Sequence, residues 1–511
     1  MAVADRPALE VRYKGLLTIA IMAATLLQIL DTTIANVALP HMQAALGATQ
    51  DSITWVLTSY IIASAIAIPV TGWLADRIGA RRLFLISVTT FVVASMLCGI
   101  ASSLEEMVLF RLIQGVSGAF IAPLAQSMML DINKKSDHGK AMAIYGMGIM
   151  VGPILGPIIG GWLTENWNWR WVFYVNVPVG VLCLILLWFL LPDKRNQERG
   201  FDLRGFMFLA IGLIGLQLVL DRGEHVDWFS SAEIWVEAGI AFSGFWMFAV
   251  HLATSSNALF PIEMLRDRNV LTGTFFMLIV GLVALAVMAL LPPMLQNLYG
   301  YPVLTTGEIL SSRGMGVLLT MALVGRIIGF IDARLLVATG FCIISLSLWM
   351  MTHWSLEQDW HPIFISGFIQ GLGMGLVFVP LNVISFATLD SRYRTDGAAL
   401  INLSRNLGSS LGIAIMSALL AQNTQRSHAD LAQHVTYQRL PIDPNLTRAL
   451  GEAGDSVLAL ANAEVTRQAS MIAFLDDFKL MMFACLAVIP LLLFIRAPKR
   501  GSGPPPEAMM E

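Results

Sequence analysis

The sequence alternates long apolar stretches with short polar connections, and this pattern predicts a bundle of membrane-spanning helices. A hydrocarbon core of roughly 30 Å needs about 20 apolar residues in a helix that rises about 1.5 Å per residue. About fourteen stretches reach this length when they are ended at charges, prolines and glycine clusters. The predicted spans are 16–38, 52–74, 82–101, 106–128, 140–162, 170–191, 204–221, 232–252, 271–297, 307–328, 334–353, 361–386, 397–420 and 472–495.

The basic residues predict the orientation of these spans. Short loops that face the cytoplasm carry an excess of Lys and Arg. With the N-terminus placed inside, Lys and Arg in the inner segments outnumber those in the short outer loops by about ten to one, and the outer ones are Arg170 and Arg222. One missed span would reverse every later loop. The distribution therefore predicts an even number of spans with both termini in the cytoplasm.

Composition agrees with a multi-pass membrane protein. The chain has 511 residues, of which 56% are hydrophobic and 13% charged, whereas soluble domains carry about 25% charged residues. Its mean hydropathy is +0.70. The net charge of −3 is small and its residues are scattered, so we expect the lipid bilayer, and no nucleic acid, as a partner.

An internal repeat predicts two related halves. The segment 111–124, RLIQGVSGAFIAPL, is echoed by 368–381, FIQGLGMGLVFVPL. Such repeats suit transporters that rock about a site at the membrane midplane. We predict an all-α polytopic fold with an N-terminal six-helix bundle over 1–200, an inserted two-helix hairpin over 201–255 and a C-terminal six-helix bundle over 256–511. The last part includes a long outer loop, 421–470.

Two charged residues inside the predicted spans are candidates for chemistry. A charge at the bilayer centre costs at least about 2.5–3.5 kcal/mol, so Asp31 and Arg111 must face protein or water. Asp31 can handle a proton or substrate, because desolvation disfavours a charged carboxylate, or it can bond structurally to nearby Thr and Asn. Arg111 can pair with a carboxylate, or extend to the interface as an anchor.

Further polar residues in the spans are candidates for a substrate cavity. Each amide is equally suited to join two helices through a hydrogen bond worth about 0.6 kcal/mol. Arg313 and Arg405 can also attract anionic substrates, and for these two the alternatives are balanced. The candidates are Gln28, Asn36, Gln114, Arg313, Gln370, Asn382, Asn402, Arg405 and Asn406.

Three motifs resemble those of the major facilitator superfamily. The first is the turn 72–82, GWLADRIGARR. The excess of basic residues in cytoplasmic loops would explain its arginines, but it explains neither the acidic residue nor the spacing of the two glycines. The second is RLIQGVSG at 111–118. The third is GPILGPIIGG at 152–161, which resembles the fifth-span motif of drug antiporters and contains Gly152, Pro153, Gly156, Pro157, Gly160 and Gly161.

Other strings resemble the fourteen-span drug:proton antiporters, the EmrB/QacA group. They are LDTTIANVALP at 30–40, WVFYVNVPVG at 171–180 and LDRG at 220–223. The resemblance covers nearly the whole chain. It is weaker at 325–334, GRIIGFIDAR, which is a degraded copy of the 72–82 turn, and at 397–420, which lacks the Gly-Pro pairs.

The resemblance implies a proton-driven multidrug exporter of small lipophilic or amphiphilic compounds. It implies proton coupling at Asp31 and Arg111, and a periplasmic EmrA-like adaptor that connects to an outer-membrane channel. It also implies a cytoplasmic gate that latches the halves, formed by Gly72, Asp76, Arg77, Gly79, Arg81 and Arg82.

Other functions have less support in the sequence. The P-loop pattern is absent, and we expect no cofactor, no bound metal and an ion gradient as the energy source. A proton that moves through about 100 mV gains about 2.3 kcal/mol, which is enough to drive export. The alternatives are a proton-coupled uptake symporter, which the Gly-Pro-rich fifth span disfavours, and a non-transporting sensor or membrane enzyme. An enzyme would need a cluster of catalytic groups, and the sequence shows none.

Overall fold

The computed structural model of the chain describes residues 7–192, 199–223, 226–255, 258–435 and 452–494, and these residues form helices and their connections. Thirteen helices of this described part are long and apolar enough to cross a membrane. They are α1 (Lys14–Leu46), α2 (Trp55–Ile78), α3 (Ala80–Ile100), α4 (Leu104–Asp131), α5 (Lys135–Asn166), α6 (Trp171–Leu190), α7 (Leu203–Arg222), α8 (Ala232–Thr254), α9 (Arg268–Leu298), α10 (Thr305–Ile327), α11 (Ala333–Met351), α12 (Trp360–Ala387) and α14 (Ala459–Phe494). One more helix, α13 (Arg394–His434), lies between α12 and α14.

The helix α13 contains the predicted span 397–420 but is not one of these thirteen. It runs from Arg394 to His434 and is rich in Ser, Asn, Gln and Arg. It nevertheless packs inside the bundle, against α9, α14 and α4. The other predicted spans each coincide with one helix. The hydropathy pattern thus located the helices well, and α13 is more polar than a typical span.

Prolines interrupt two of the helices near the middle of the bundle. In α2, the turn Ile68–Val70 is a tighter 3₁₀ turn around Pro69. In α4, the helix is interrupted at Phe120, shortly before Pro123. Proline lacks the backbone N–H that the helix would use, so it bends or breaks the helix at this point. As a result, α4 has a first segment, Leu104–Ala119, and a second segment, Ile121–Asp131.

Glycines of the motif at 152–161 bring α1 and α5 into close contact. A Cβ placed on Gly156 would lie 2.0 Å from the hydroxyl oxygen and 2.7 Å from the Cβ of Thr33. A Cβ on Gly152 would lie 2.7 Å from a methyl group of Ile29. Small residues allow such backbone approach in membrane helices. Asp31 lies between these two contact points, so the glycines fix the position of the acid.

The first six helices, α1–α6, and the last six, α9–α14, meet along two lines. One is the pairing of α5 with α10, where Ile154 packs against Gly314 and Met321 against Gly146. The other is the contact of α13 with α2 and α4. We call these groups the first and second helix groups. Both lines of contact contribute side chains to the sites described below.

The hairpin α7–α8 lies beside the bundle and contacts it through α7. Its two helices touch closely, because a Cβ on Gly244 would lie 2.4 Å from the backbone nitrogen of Gly212. The helix α7 contacts α2 and α13, and Thr58 of α2 donates a hydrogen bond of 2.8 Å to Asp221. The hairpin therefore sits where the first and second helix groups meet.

Two helices continue beyond the bundle on the side where α13 ends and α14 begins. The helix α13 extends to His434, and the final helix begins at Glu452. The two extensions contact each other through a hydrogen bond of 3.0 Å between His428 and Asn462. Of the predicted loop 421–470, residues 436–451 lie outside the described part. The rest of it is a helical extension of the last two spans, which agrees with the helical runs that the polar segment predicts.

We expect Gly156→Ala to destabilise the packing of α1 on α5. The added methyl group would overlap Thr33, and overpacking costs about 1–3 kcal/mol. The apparent melting temperature of the purified protein should fall. Gly161→Ala is the matched control, because a Cβ there meets nothing within 4 Å. Equal melting temperatures for the two variants would contradict the close contact.

Candidate functional site

The centre of the first helix group contains a buried ion pair between Asp31 and Arg111. Asp31 is 1% exposed and Arg111 is fully buried. The guanidinium Nη1 of Arg111 lies 2.6 Å from the Oδ2 atom of Asp31. The two charged residues that the sequence singled out are therefore direct partners, which answers how each is tolerated inside an apolar bundle.

Two amides complete the hydrogen bonding of the Asp31 carboxylate. Gln114 Nε2 donates to Oδ1 at 2.8 Å, and Asn176 Nδ2 donates to the same oxygen at 2.7 Å. Asn176 also lies 3.0 Å from Ser95 Oγ on α3. With Arg111, the carboxylate thus receives three donors, each from a polar group that is itself buried.

Arg111 is held by further contacts on the other side of its guanidinium. Its Nε donates to the carbonyl oxygen of Val56 at 3.0 Å, and its Nη1 also donates to Gln114 at 2.8 Å. The guanidinium carbon lies 4.4 Å from the centre of the Tyr60 ring, a cation–π contact. Its Nη2 has no hydrogen-bond partner among the described residues.

This cluster joins five helices through one pair of opposite charges. Its members come from α1, α2, α3, α4 and α6. A buried ion pair is tolerated because the charges compensate each other, and removal of one charge leaves the other uncompensated at a cost of about 3–5 kcal/mol. A proton added to Asp31 would do this. The arrangement can therefore convert a protonation event into a change in helix packing.

A second polar cluster lies between the two helix groups, and we call it the central seam. Gln126 of α4 bonds to Asn382 of α12 through its amide nitrogen and accepts a hydrogen bond of 2.8 Å from Asn402 of α13. A small pocket adjoins it and is lined also by Tyr145 and Arg405. The seam thus presents amides and one cation to the pocket.

Two ion pairs join the helix groups at one end of the bundle. We call it the arginine-rich end, and it carries 72–82, 131–138 and 391–396. Arg394 of α13 lies 2.7 Å from Asp131 of α4, and both are buried. Arg199, in the connection between α6 and α7, donates two hydrogen bonds, of 3.0 and 3.1 Å, to Asp396 of α13, and its carbonyl oxygen accepts one of 3.0 Å from Trp73 of α2. These charged contacts hold this end of the two groups together in the structure.

The predicted gate residues surround one of these ion pairs. Gly72 packs directly against the Asp396 carboxylate, since a Cβ there would lie 1.9 Å from Oδ1. Asp76 lies 4.0 Å from Arg199. Gly79 has a positive φ of 95°, which allows the tight turn between α2 and α3. Arg81 donates to the carbonyl of Trp188, while Arg77 and Arg82 are exposed.

The predicted cavity residues fall into separate places. Asn382, Asn402 and Arg405 lie together at the pocket. Gln114 belongs to the Asp31 cluster. Arg313 and Gln370 are buried in the second helix group, away from the residues that line the pocket. Of the remaining three, Gln28 is half-buried beside Tyr60 of the Asp31 cluster, Asn406 is half-buried and Asn36 is exposed.

Several residues of these clusters were not selected from the sequence. Asn176 stands alone as a polar residue between valines, a signal that resembles that of Asn36. Gln126 is an intramembrane amide like those that were chosen. Asp131, Arg199, Arg394 and Asp396 look like ordinary loop and helix-end charges. Their pairing depends on contacts between distant segments, which the sequence does not display.

Comparison with known proteins agrees with the architecture and the motifs. The family model described as Major Facilitator Superfamily matches residues 21–413. The chain is 33% identical to the "Multidrug export protein EmrB" of Haemophilus influenzae, over 94% of this chain and 96% of that protein. It is 30% identical to the "Fatty acid resistance protein FarB" of Neisseria gonorrhoeae, over 98% and 99%.

A solved structure has a similar fold. The human organic anion transporter MFSD10 superposes with a TM-score of 0.59 at 13% identity, over 93% of this chain and all of that chain. At this identity the likeness concerns the fold alone. Because the family model covers most of the chain and relatives above 30% identity cover nearly all of it, the chain belongs to the Major Facilitator Superfamily, in its group of EmrB-type pumps.

Proposed function

We propose that this protein is a proton-driven exporter of small lipophilic or amphiphilic compounds, located in the bacterial inner membrane. The observation that carries the proposal is the buried Asp31–Arg111 pair. Relatives named for multidrug export and for fatty acid resistance support efflux and an amphiphilic substrate class. No bound cofactor takes part, and the proton gradient supplies the energy.

The orientation in this proposal follows the distribution of basic residues. All fourteen helices cross the membrane, α13 included, and both termini lie in the cytoplasm. The arginine-rich end then faces the cytoplasm, and the ion pairs of Asp131 and Asp396 close the protein on that side. The structure accordingly corresponds to the state from which substrate leaves to the outside.

The transport cycle in this proposal links Asp31 to the gate through α4. A proton from outside neutralises Asp31 and leaves Arg111 without a counterion. The helix α4 carries Arg111 in its first segment and Gln126, Ser127 and Asp131 in its second segment, and Arg111 and Asp131 are about 20 residues or 30 Å apart along it. The repacking around Arg111 moves α4, weakens the contacts to α13 and opens the cytoplasmic side. Substrate binding from inside and proton release reset the pair.

We expect Asp31→Asn to abolish substrate-linked proton movement. Asparagine keeps the size and a hydrogen-bond acceptor but cannot exchange a proton. In proteoliposomes, proton flux triggered by substrate should fall by about tenfold or more, the scale of one lost charged interaction. The substrate is the compound to which expression of this chain gives the greatest resistance in a susceptibility panel.

The matched control for this variant is Asp221→Asn. Asp221 accepts a hydrogen bond from Thr58 at the edge of the first helix group, outside the Asp31 cluster. Proton flux triggered by substrate should be the same in this variant as in the unmodified protein. If Asp31→Asn retains normal coupling, Asp31 is not the proton site. The direction of substrate movement in everted vesicles separates export from an uptake symporter.

We expect Asp396→Asn to open the cytoplasmic side. The loss of two charged hydrogen bonds to Arg199 favours the open state by about 1.5–3 kcal/mol. The reporter is a cysteine in place of Ser127, in protein whose native cysteines are replaced. Ser127 lies 3.0 Å from Thr395, between the groups. This cysteine should react with a maleimide about tenfold faster in Asp396→Asn than in the same protein with Asp396 intact.

The control is Asp390→Asn, which removes an exposed pair with Arg392 at the same end. Exposed pairs contribute little, so labelling should stay at the reference rate. Equal labelling of both variants would exclude a latch at Asp396.

We further propose that the extension formed by 421–434 and 459–470 meets a periplasmic adaptor of the EmrA type, and through it an outer-membrane channel. Replacement of 425–465 by a short Gly-Ser linker removes the His428–Asn462 contact. Copurification of the adaptor should be lost, while transport in proteoliposomes, which needs no adaptor, should persist. Intact copurification would refute docking at this extension.

A further inference from the structure

The second helix group contains a buried cation that has no acidic partner. Arg313 of α10 is 9% exposed, and its Nη2 atom is buried without a hydrogen-bond partner among the described residues. No carboxylate of the described part forms an ion pair with it. A buried, uncompensated charge is costly, and proteins keep such charges mainly where they serve a function.

A second unsatisfied side chain lies on α12, which packs against α10. Gln370 of α12 is fully buried, and neither its amide nitrogen nor its amide oxygen has a partner among the described residues. The helices touch at this level, because a Cβ on Gly371 would lie 2.0 Å from the carbonyl oxygen of Arg313. The guanidinium and the amide thus belong to one place in the fold, and both have unused hydrogen-bond donors.

The same backbone contact occurs in the first helix group, at the Asp31 site. There a Cβ on Gly115 would lie 2.5 Å from the carbonyl oxygen of Tyr60. Gln114 precedes Gly115 as Gln370 precedes Gly371. Arg313 in the second helix group therefore occupies the position that corresponds to Tyr60 in the first, and Gln370 occupies the position that corresponds to Gln114.

The counterpart of Asp31 follows from a second pair of contacts. Gly152 packs on Ile29 and Gly156 on Thr33, while Gly408 packs on Leu278 and Gly412 on Leu282. Residues 29 and 33 of α1 thus match 278 and 282 of α9. Asp31 then corresponds to Val280, which is 4% exposed. The second site keeps the amide and has an apolar residue in place of the acid, and its cation, Arg313, stands at the position of Tyr60.

We infer that Arg313 and Gln370 form a subsite for the carboxylate of an anionic amphiphile that the protein transports. A carboxylate is an acceptor-only group with two oxygens, so it matches the free donors of a guanidinium and an amide. It also supplies the negative charge that Val280 does not. The inference rests on the proposed export function.

The test compares two ligands of equal size. 1-Naphthoate carries the carboxylate and 1-naphthamide is its neutral counterpart, and binding of each is measured to the full chain in nanodiscs. The unmodified protein should bind the naphthoate at least about tenfold more tightly, since a hydrogen bond to a charged group contributes roughly this factor. In Arg313→Gln this ratio should fall to about one, and Arg313→Lys should restore part of it.

Two further variants show whether the naphthoate preference arises at this subsite. Arg326→Gln removes an exposed cation at the end of α10 and should leave the ratio unchanged. Gln370→Leu should also lower the ratio, and it provides the test if Arg313→Gln does not fold. An unmodified protein without preference for the naphthoate overturns the inference, as does an Arg313→Gln protein with the full preference. Displacement by inorganic phosphate as effective as by unlabelled naphthoate would overturn the assignment to a carboxylate amphiphile.

The outcome is independent of the proposed transport cycle. If the naphthoate preference is present and depends on Arg313 but no proton-driven transport is measured, the export proposal fails and the subsite stands. If transport depends on Asp31 and the preference is missing, the subsite fails and the export proposal stands.

Discussion

The ion pair between Asp31 and Arg111 is the constraint around which the first helix group is organised. Two opposite charges in an apolar bundle must stay together, because either one alone is costly to bury. Five helices contribute to their surroundings, and the glycines of α5 set the depth of α1 so that Asp31 reaches Arg111. A single proton can remove this constraint. The pair is therefore the main polar support of the group, and in the proposed function it is the point at which a proton acts.

The helix α4 connects this pair to the rest of the molecule. Its first segment supplies Arg111, and its second segment supplies Gln126 to the central seam and Asp131 to the arginine-rich end. The interruption at Phe120 lies between the two. In the proposed function, this continuity explains how a proton that binds inside one helix group affects the contact with the other. The second helix group has the same framework without the acid, so the two groups carry different charges at matching places.

Much of the helical architecture could be predicted from the sequence, whereas only part of the sites could. Apolar length located the helices, and thirteen of the predicted spans coincide with helices that qualify as spans. The cost of intramembrane charge singled out Asp31 and Arg111 and implied a partner for each. It could not identify Asn176 or the pairing of Asp131 with Arg394, because these contacts join segments far apart in the chain. Arg313 was recognised as unusual, but its lack of an acid became visible only in the structure.

The central claim is that Asp31 exchanges a proton as substrate binds. The most direct measurement is infrared difference spectroscopy of the purified protein with and without substrate, compared with the Asp31→Asn variant. The account predicts that substrate, added to protein in which Asp31 is protonated by mild acidification, removes the carbonyl band of a protonated carboxyl group, and that this change is missing in the variant. A substrate that binds normally and leaves the protonation of Asp31 unchanged would contradict it.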